Sequence, residues 1–183
     1  MKTLLALIVI GFMISCPVVN AQSFITENGY AEFESRAPLL TFKGTSNHLT
    51  GLIDLDKNLI DFYLDLNTID TGIRLRNRHM RDSYLETGKY PYAEFTGTIV
   101  TPFDPDDPTP QIVAADGKFR IHGVEREIRV EGTLEVDAGG LSLNASWTLM
   151  LKDYNIDRPR VVFYELADEQ IVSIRALLKP REE

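Results

Sequence analysis

The feature that most constrains the fold is a period-two alternation of apolar and polar residues, which dominates the chain after residue 22. Between Ile60 and Asn67, every even position is apolar and three of the four odd positions are polar. A longer run alternates in the same way from Leu141 to Leu151. Successive side chains of a β-strand point to opposite faces, so these runs predict half-buried antiparallel strands. The chain is therefore expected to be an all-β protein.

Shorter alternating runs and turn-forming residues divide the rest of the chain into strands. The predicted strands are residues 30–35, 39–44, 49–54, 60–67, 92–100, 119–122, 127–136, 141–151 and 172–178. Turns are predicted between them, at Asp56-Lys57-Asn58, Asp116-Gly117, His122-Gly123 and Ala138-Gly139-Gly140. Residues 101–110 are rich in proline and aspartate, and we expect them to form an irregular hairpin loop.

One segment, Thr71–Thr87, interrupts the strand pattern. It contains no proline, its one glycine is Gly72 near the start, and it is rich in good helix formers such as Leu, Arg, Met and Glu. Asp70 or Thr71 can cap the first turn and Gly88 can end the last, so the segment is predicted to be an α-helix. Eight or nine strands with one inserted helix favour a closed antiparallel barrel over a sandwich.

The N-terminal residues are typical of an export signal. Lys2 precedes the apolar run Leu4–Ile14, and Val19-Asn20-Ala21 supplies small residues at the −3 and −1 positions of a signal-peptidase site. The run is too short to span a bilayer as a stable helix. Cleavage before Gln22 is favoured over lipidation of Cys16, because Met13-Ile14-Ser15 matches a lipoprotein signal poorly.

This interpretation divides the chain into a signal peptide at residues 1–21 and one barrel domain at residues 22–183. The mature protein is predicted to be periplasmic or secreted, with no transmembrane segment. Cys16 is the only cysteine, so the barrel is expected to have no disulfide. The oligomeric state is left open, with a homodimer as one alternative.

The charge balance excludes one large class of partners. The chain has 27 Asp and Glu residues against 19 Lys and Arg residues, which gives a formal net charge of −8. Affinity for nucleic acid or for an anionic membrane depends largely on positive charge. We therefore expect no nucleic-acid partner.

The sequence has little that points to catalysis or to a metal. His48, His79 and His122 lie far apart, and the spacings typical of metal ligands are missing from the sequence. The sequence also has no G-x-S-x-G, no phosphate-binding G-x-G-x-x-G and no P-loop. Residues 104–107 carry three aspartates, which we interpret as a solvated acidic loop because their spacing matches no calcium loop.

Several segments, taken in order, resemble the YceI-like family. The motifs are R-N-x-H-M at 76–80, K-Y-P-x-x-x-F at 89–95 and H-G-V-x-x-x-I at 122–128, and the likeness extends from about Phe33 to Leu178. The resemblance implies a lipocalin-like eight-stranded barrel, exported to the periplasm, that holds a long isoprenoid chain such as a polyprenyl or quinone lipid. The sequence departs from the family at Tyr84 and Leu85, where two phenylalanines are frequent, and in its opening strand.

We therefore expect no cofactor other than a bound isoprenoid lipid or quinone. The expected partner is a hydrophobic lipid. On the strands through Phe95 and Trp147, small residues alternate with large ones, which would leave space inside the barrel. The residues predicted to line this apolar lumen are Phe42, Leu49, Phe62, Leu64, Leu66, Met80, Tyr84, Phe95, Gly97, Phe119, Ile121, Ala145, Trp147 and Leu149.

The predicted helix carries four arginines and a histidine within eight residues, Arg74 to Arg81. We expect most of these arginines to lie on the surface and to pair with acids such as Asp82 and Glu86. Arg78 and His79 are the residues predicted to meet a polar headgroup at the opening of the barrel.

Two other functions remain open at this level. One is an interaction module with a filled core, recognised through the surface of the helix. The other is a small enzyme acting on a hydrophobic substrate, with His79 as general base and nearby arginines stabilising an anion. The preferred hypothesis is a binding protein without catalytic activity.

Overall fold

The structure of the protein, a computed structural model, describes residues 23–37, 40–158, 160–161, 164–165 and 167–181. The predicted signal peptide, its cleavage site and Cys16 lie outside these residues. The strands in chain order are β1 Ser23–Ala37, β2 Leu40–Asp54, β3 Leu59–Asp65, β4 Tyr92–Ile99, β5 Gln111–Ile121, β6 Val124–Asp137, β7 Gly140–Met150, β8 Arg160–Val161, β9 Tyr164–Glu165 and β10 Glu169–Pro180.

Eight of these strands form a closed barrel in the order β1-β10-β7-β6-β5-β4-β3-β2, and β1 pairs with β2 to close it. Every neighbouring pair is antiparallel. Strands β8 and β9 form a separate two-stranded sheet. This arrangement confirms the prediction of a closed antiparallel barrel with an inserted helix.

The strand boundaries differ from the prediction, and β1 and β5 begin at Ser23 and Gln111 rather than at residues 30 and 119. The predicted strands at 39–44 and 49–54 belong to one continuous strand, β2. The predicted turn at Asp116-Gly117 is wrong, because both residues lie inside β5, where Gly117 is opposite Gly97 of β4. At His122-Gly123 the predicted turn is confirmed, since φ is 54° and 73° at these residues.

The inserted helix is shorter than predicted. Helix α1 spans Arg74–His79 and continues as a π-helical turn over Met80–Tyr84. Before the helix, Thr45 of β2 and Asp70 exchange two backbone hydrogen bonds of 2.9 Å, so this part of the chain is held to the sheet. Ile73 is the N-cap residue and makes no side-chain cap bond, so the prediction that Asp70 or Thr71 caps the helix is wrong.

One end of the barrel is filled by its own side chains. Ile53, Leu134, Leu141 and Leu178 are fully buried, and Ile99 is nearly so. All five lie near the strand ends on the side of the β2–β3 and β6–β7 turns. Burying each such side chain stabilises the fold by about 1.5–3 kcal/mol. Next to helix α1, at the opposite end, the side chains leave a space in the interior.

Candidate ligand-binding cavity

The barrel encloses a cavity of about 780 Å³, which extends from helix α1 as far as Ile60 and Leu143, the residues opposite Ile53 and Leu134 of the filled end. Its wall contains residues from all eight barrel strands and from the helical segment. Small-molecule sites in proteins usually have volumes of about 300–1,000 Å³. The interior is therefore large enough for a ligand, and the alternative of an interaction module with a filled core does not fit the structure.

Most of the residues predicted to line the lumen lie on the cavity wall. These are Phe42, Leu49, Phe62, Leu64, Leu66, Met80, Tyr84, Phe95, Phe119, Ile121, Ala145, Trp147 and Leu149. The alternation of each strand places most of them, because β-strand residues two apart point to the same side of the sheet. That they contact a ligand remains a prediction.

Gly97 is the predicted residue that does not line the cavity. A Cβ atom at this position would lie 2.6 Å from the carbonyl oxygen of Asp116 and 3.0 Å from Cζ of Phe95. The strands β4 and β5 thus approach closely at Gly97, and the Phe95 ring lies against it. The absence of a side chain at Gly97 therefore lets the two strands come close together and does not enlarge the lumen.

The sequence did not identify the part of the wall formed by β1, β10 and the first half of β5. The lining residues that were missed there include Ala31, Phe33, Ser35, Val113, Ala115, Gln170, Val172 and Ile174. In β5 the turn expected at Asp116-Gly117 hid the strand that precedes it. The alternation of Ala31, Phe33 and Ser35 is a signal that could have shown the inner face of β1.

The helical segment covers the open end of the barrel. Met80 is buried, and Tyr84 and Leu85 pack against the core. Ile73 and Leu75 also line the cavity, yet they are 52% and 53% exposed to solvent. These two residues therefore form an apolar rim between the interior and the solvent.

The arginine that lines the cavity is not the one that was predicted to meet a headgroup. Arg78 is exposed and is not part of the cavity wall, so the structure does not place it where a headgroup in the cavity would meet it. His79 is exposed but does line the cavity. Arg76 lines it as well, since residues four apart, such as Arg76 and Met80, share one face of a helix.

Arg76 is held in place by two contacts. Its guanidinium carbon lies 4.2 Å from the centroid of the Phe42 ring, and Nη2 donates a 2.5 Å hydrogen bond to the carbonyl oxygen of Thr71. The stacking adds a cation–π attraction. Glu86, expected to pair with an arginine, instead has a carboxylate oxygen 3.0 Å from Nε2 of His122.

The polar side chains at the cavity wall are few. Apart from tyrosine and tryptophan, they are Arg76, His79, Ser35, Gln170, Glu32 and Glu94. Glu32 accepts hydrogen bonds of 2.7 Å from both Lys43 and Tyr30, and these bonds lower its pKa below the ordinary value. Its carboxylate is therefore ionised and already paired.

The described part of the chain contains no cluster of three or more His, Cys, Asp and Glu side chains that could hold a metal ion. Over the same residues, no helix has both the length and the apolar character needed to cross a membrane.

A closed antiparallel barrel with an apolar cavity under a short helix defines a lipocalin-like class of protein. The sequence profile of the YceI-like domain matches residues 18–176. The chain belongs to the YceI-like family. No curated protein matches the sequence significantly.

Solved structures with low sequence identity share the fold. A polyisoprenoid binding domain from Saccharophagus degradans, implicated in plant cell wall breakdown, is 18% identical with a TM-score of 0.73, over 88% of this chain and 100% of that one. BcnA of Burkholderia cenocepacia is 13% identical with a TM-score of 0.64, over 82% and 94% of the two chains. The YceI protein of Campylobacter jejuni is 14% identical with a TM-score of 0.56, and 100% of both chains is covered.

Proposed function

We propose that the protein is a non-catalytic binding protein that holds a long apolar lipid, an isoprenoid or a similar chain, inside the barrel. The observation that carries this proposal is the cavity of about 780 Å³, whose wall is mainly aliphatic and aromatic. Such a wall binds a ligand by removing its apolar surface from water, which suits a chain with few polar groups.

The expected energies favour the chain of the ligand as the source of affinity. Each buried methylene contributes about 0.8 kcal/mol, so about ten carbons give roughly 8 kcal/mol before the cost of association. That free energy corresponds to a Kd of about 1 μM. A hydrogen bond to a charged group adds about 1.5–3 kcal/mol. The tail thus supplies most of the affinity, and a polar head sets the orientation.

The proposal includes sequestration or transport of the lipid in the periplasm or outside the cell. Its support is the export signal predicted at residues 1–21 and the likeness of the fold to a polyisoprenoid binding domain. The ligand enters past Ile73 and Leu75, the exposed apolar rim. His79 lies exposed at the cavity rather than enclosed in it, which does not favour a role as general base.

Trp147 offers a direct test, because it is the only tryptophan and lines the cavity. Added short-chain ubiquinone is expected to quench its fluorescence with a saturable curve. Ala145→Leu places additional carbons into the cavity and should weaken this binding by about tenfold or more, equal to about 1.4 kcal/mol.

The matched control is Ala138→Leu, the same substitution at the exposed β6–β7 turn. It should quench like the wild type, and thermal melts should show that both variants fold. Val172→Phe, at another lining position, repeats the test if Ala145→Leu does not fold. If the tryptophan fluorescence of both cavity variants were quenched at the same ubiquinone concentrations as that of the wild type, binding in the lumen would be contradicted.

A further inference from the structure

The segment that covers the open end of the barrel leaves two large apolar side chains in contact with solvent. Ile73 is 52% exposed and Leu75 is 53% exposed, although both also line the cavity. Leu75 shares one flank of helix α1 with His79, which is likewise exposed and on the cavity wall. Single exposed apolar side chains are common on protein surfaces, so the apolar rim alone does not identify a partner.

Unpaired positive charge lies immediately beside this rim. Arg74 stands between Ile73 and Leu75 in the chain, and Arg78 follows Arg74 by one turn on the same flank of the helix. Both arginines are exposed, and neither makes a hydrogen bond or an ion pair within the part of the chain that the structure describes. Residues 71–81 include four arginines and no acid, so they contribute +4 to a total of −8, and the rest of the chain carries −12.

The acids that flank this segment do not neutralise the two exposed arginines. Asp70 directs its carboxylate to the start of the helical segment, where it accepts two hydrogen bonds. The carboxylate of Glu86 lies against His122 instead. Asp82 is exposed, and among the described residues no ion pair joins it to Arg78. The rim is therefore bordered by positive charge that faces the solvent.

From the exposed rim and the charges beside it, we propose that this part of the surface docks on an anionic lipid bilayer. We call Ile73, Arg74, Leu75 and Arg78 the docking face. The two apolar side chains enter the headgroup region, and the two arginines lie against lipid phosphates. The rim of the cavity then faces the bilayer, so a lipid moves between membrane and barrel without passing through water. The inference rests on the proposed function for this transfer, and it adds the surface that supplies or receives the lipid.

The chemistry of the docking face favours a bilayer over a second copy of this chain. A two-fold symmetric dimer through this face would bring the exposed arginines of both copies together, and like charges across an interface oppose association. A bilayer offers an apolar layer to Ile73 and Leu75 and phosphate oxygens to the arginines. The binding is expected to be weak and salt-dependent, because the acidic remainder of the chain is repelled by the same surface.

Flotation with lipid vesicles tests the docking face. The protein, expressed from the full chain and recovered in its exported form, is mixed with vesicles of phosphatidylcholine alone or of equal parts phosphatidylcholine and phosphatidylglycerol. We expect it to float with the anionic vesicles and to be released by added salt, which screens the arginine charges. Arg74→Gln combined with Arg78→Gln should lower the ratio of bound to free protein by about 25-fold, about fivefold for each charge.

The matched controls lie at the filled end of the barrel. Leu177 of β10 is 42% exposed, and Arg181 is exposed just after the same strand. Leu75→Ser should lower the ratio of bound to free protein by about five- to tenfold, whereas Leu177→Ser and Arg181→Gln should leave it nearly unchanged. All variants carry the same N-terminus, so any contribution of that part of the chain is common to them, and thermal melts show that each one folds.

Uptake of ubiquinone from two sources separates docking from binding in the lumen. Short-chain ubiquinone is offered either within the anionic vesicles or dispersed in buffer without vesicles. Arg74→Gln combined with Arg78→Gln should slow uptake from the vesicles by about tenfold or more, in line with the weaker docking. The same variant should take up dispersed ubiquinone like the wild type, because neither arginine lines the cavity.

The outcomes distinguish this inference from the function on which it rests. Flotation that depends neither on phosphatidylglycerol nor on the two arginines, with normal uptake of dispersed ubiquinone, would overturn the docking face and leave the proposed function intact. Flotation that depends on both, without uptake from either source, would support docking and overturn the proposed function. Self-association that is lost in Leu75→Ser, without vesicle binding by the wild type, would assign the face to a second copy of the chain and contradict the inference.

Discussion

Asp70 shows how a single side chain positions the helix that covers the cavity. Its Oδ1 accepts hydrogen bonds from the backbone N–H of Gly72 at 2.8 Å and from Nδ2 of Asn77 at 2.7 Å. Oδ1 of Asn77 in turn accepts from the backbone N–H and the hydroxyl of Thr71. The bond from Asn77, followed by the bond from Gly72, lowers the pKa of Asp70 below its ordinary value.

This lowered pKa gives a pH-dependent prediction. A carboxyl whose pKa falls on folding stabilises the protein above its unfolded-state pKa of about 3.9, and this contribution is lost as the pH falls through the folded value. Asp70→Asn should therefore be less stable than the wild type at pH 7, and the difference should shrink as the medium is acidified below the unfolded-state pKa. Urea unfolding at neutral and acidic pH measures it.

Asp137→Asn, at an exposed position beside the β6–β7 turn, controls for a general effect of removing negative charge. A difference between Asp70→Asn and the wild type that is as large at acidic pH as at neutral pH would show that the ionised form of Asp70 has no special role.

Strands β4 and β5 show what alternation can and cannot predict at the scale of an element. The alternation of Phe95 and Phe119 assigned their inner faces correctly, because a two-residue period is local information. The close approach of Gly97 and Gly117 depends on the register between strands, which the pattern of one strand does not contain. Both the false turn at Asp116-Gly117 and the misplaced Gly97 result from this limit.

The close approach makes Gly117 sensitive to any side chain. A Cβ atom there would lie 2.5 Å from the carbonyl oxygen of Thr96 and 2.7 Å from Cα of Gly97. Gly117→Ala should therefore lower the free energy of unfolding by about 1–3 kcal/mol, because the two backbones must move apart. Urea unfolding monitored by circular dichroism measures the change.

Gly88→Ala is the matched control, since a Cβ atom at Gly88 would meet no atom within 4 Å. This variant should be as stable as the wild type or slightly more so, because alanine restricts the unfolded chain. Equal stability of Gly117→Ala and Gly88→Ala would refute the role assigned to the glycine pair.

At the scale of the whole molecule, the sequence predicted the barrel and a part of its lining but not how the interior is divided. Ile53, Leu134, Leu141 and Leu178 fill one end, whereas residues of the same kind, such as Leu49 and Leu149, line the cavity. Both groups obey the same alternation. The stagger of the strands and the position of the helix determine which inward-facing side chains pack against one another and which border the cavity.

The sequence did not identify Arg76 as a cavity residue for a related reason. Arg76 lines the cavity and stacks on the Phe42 ring of β2, a contact between residues that are far apart in the chain. The prediction named Arg78 instead, because the position of a residue along a helix does not by itself show which arginine faces the cavity.

The central claim is that the barrel holds a long apolar lipid, and one measurement tests it most directly. The full-length protein is purified without detergent, denatured, extracted with organic solvent and examined by mass spectrometry, with Ala145→Leu purified in parallel. We predict that the wild type releases an isoprenoid or similar long-chain lipid and that Ala145→Leu releases much less. Repeated wild-type preparations that release no lipid, and that take up neither ubiquinone nor polyprenyl phosphate when these are added, would contradict the claim.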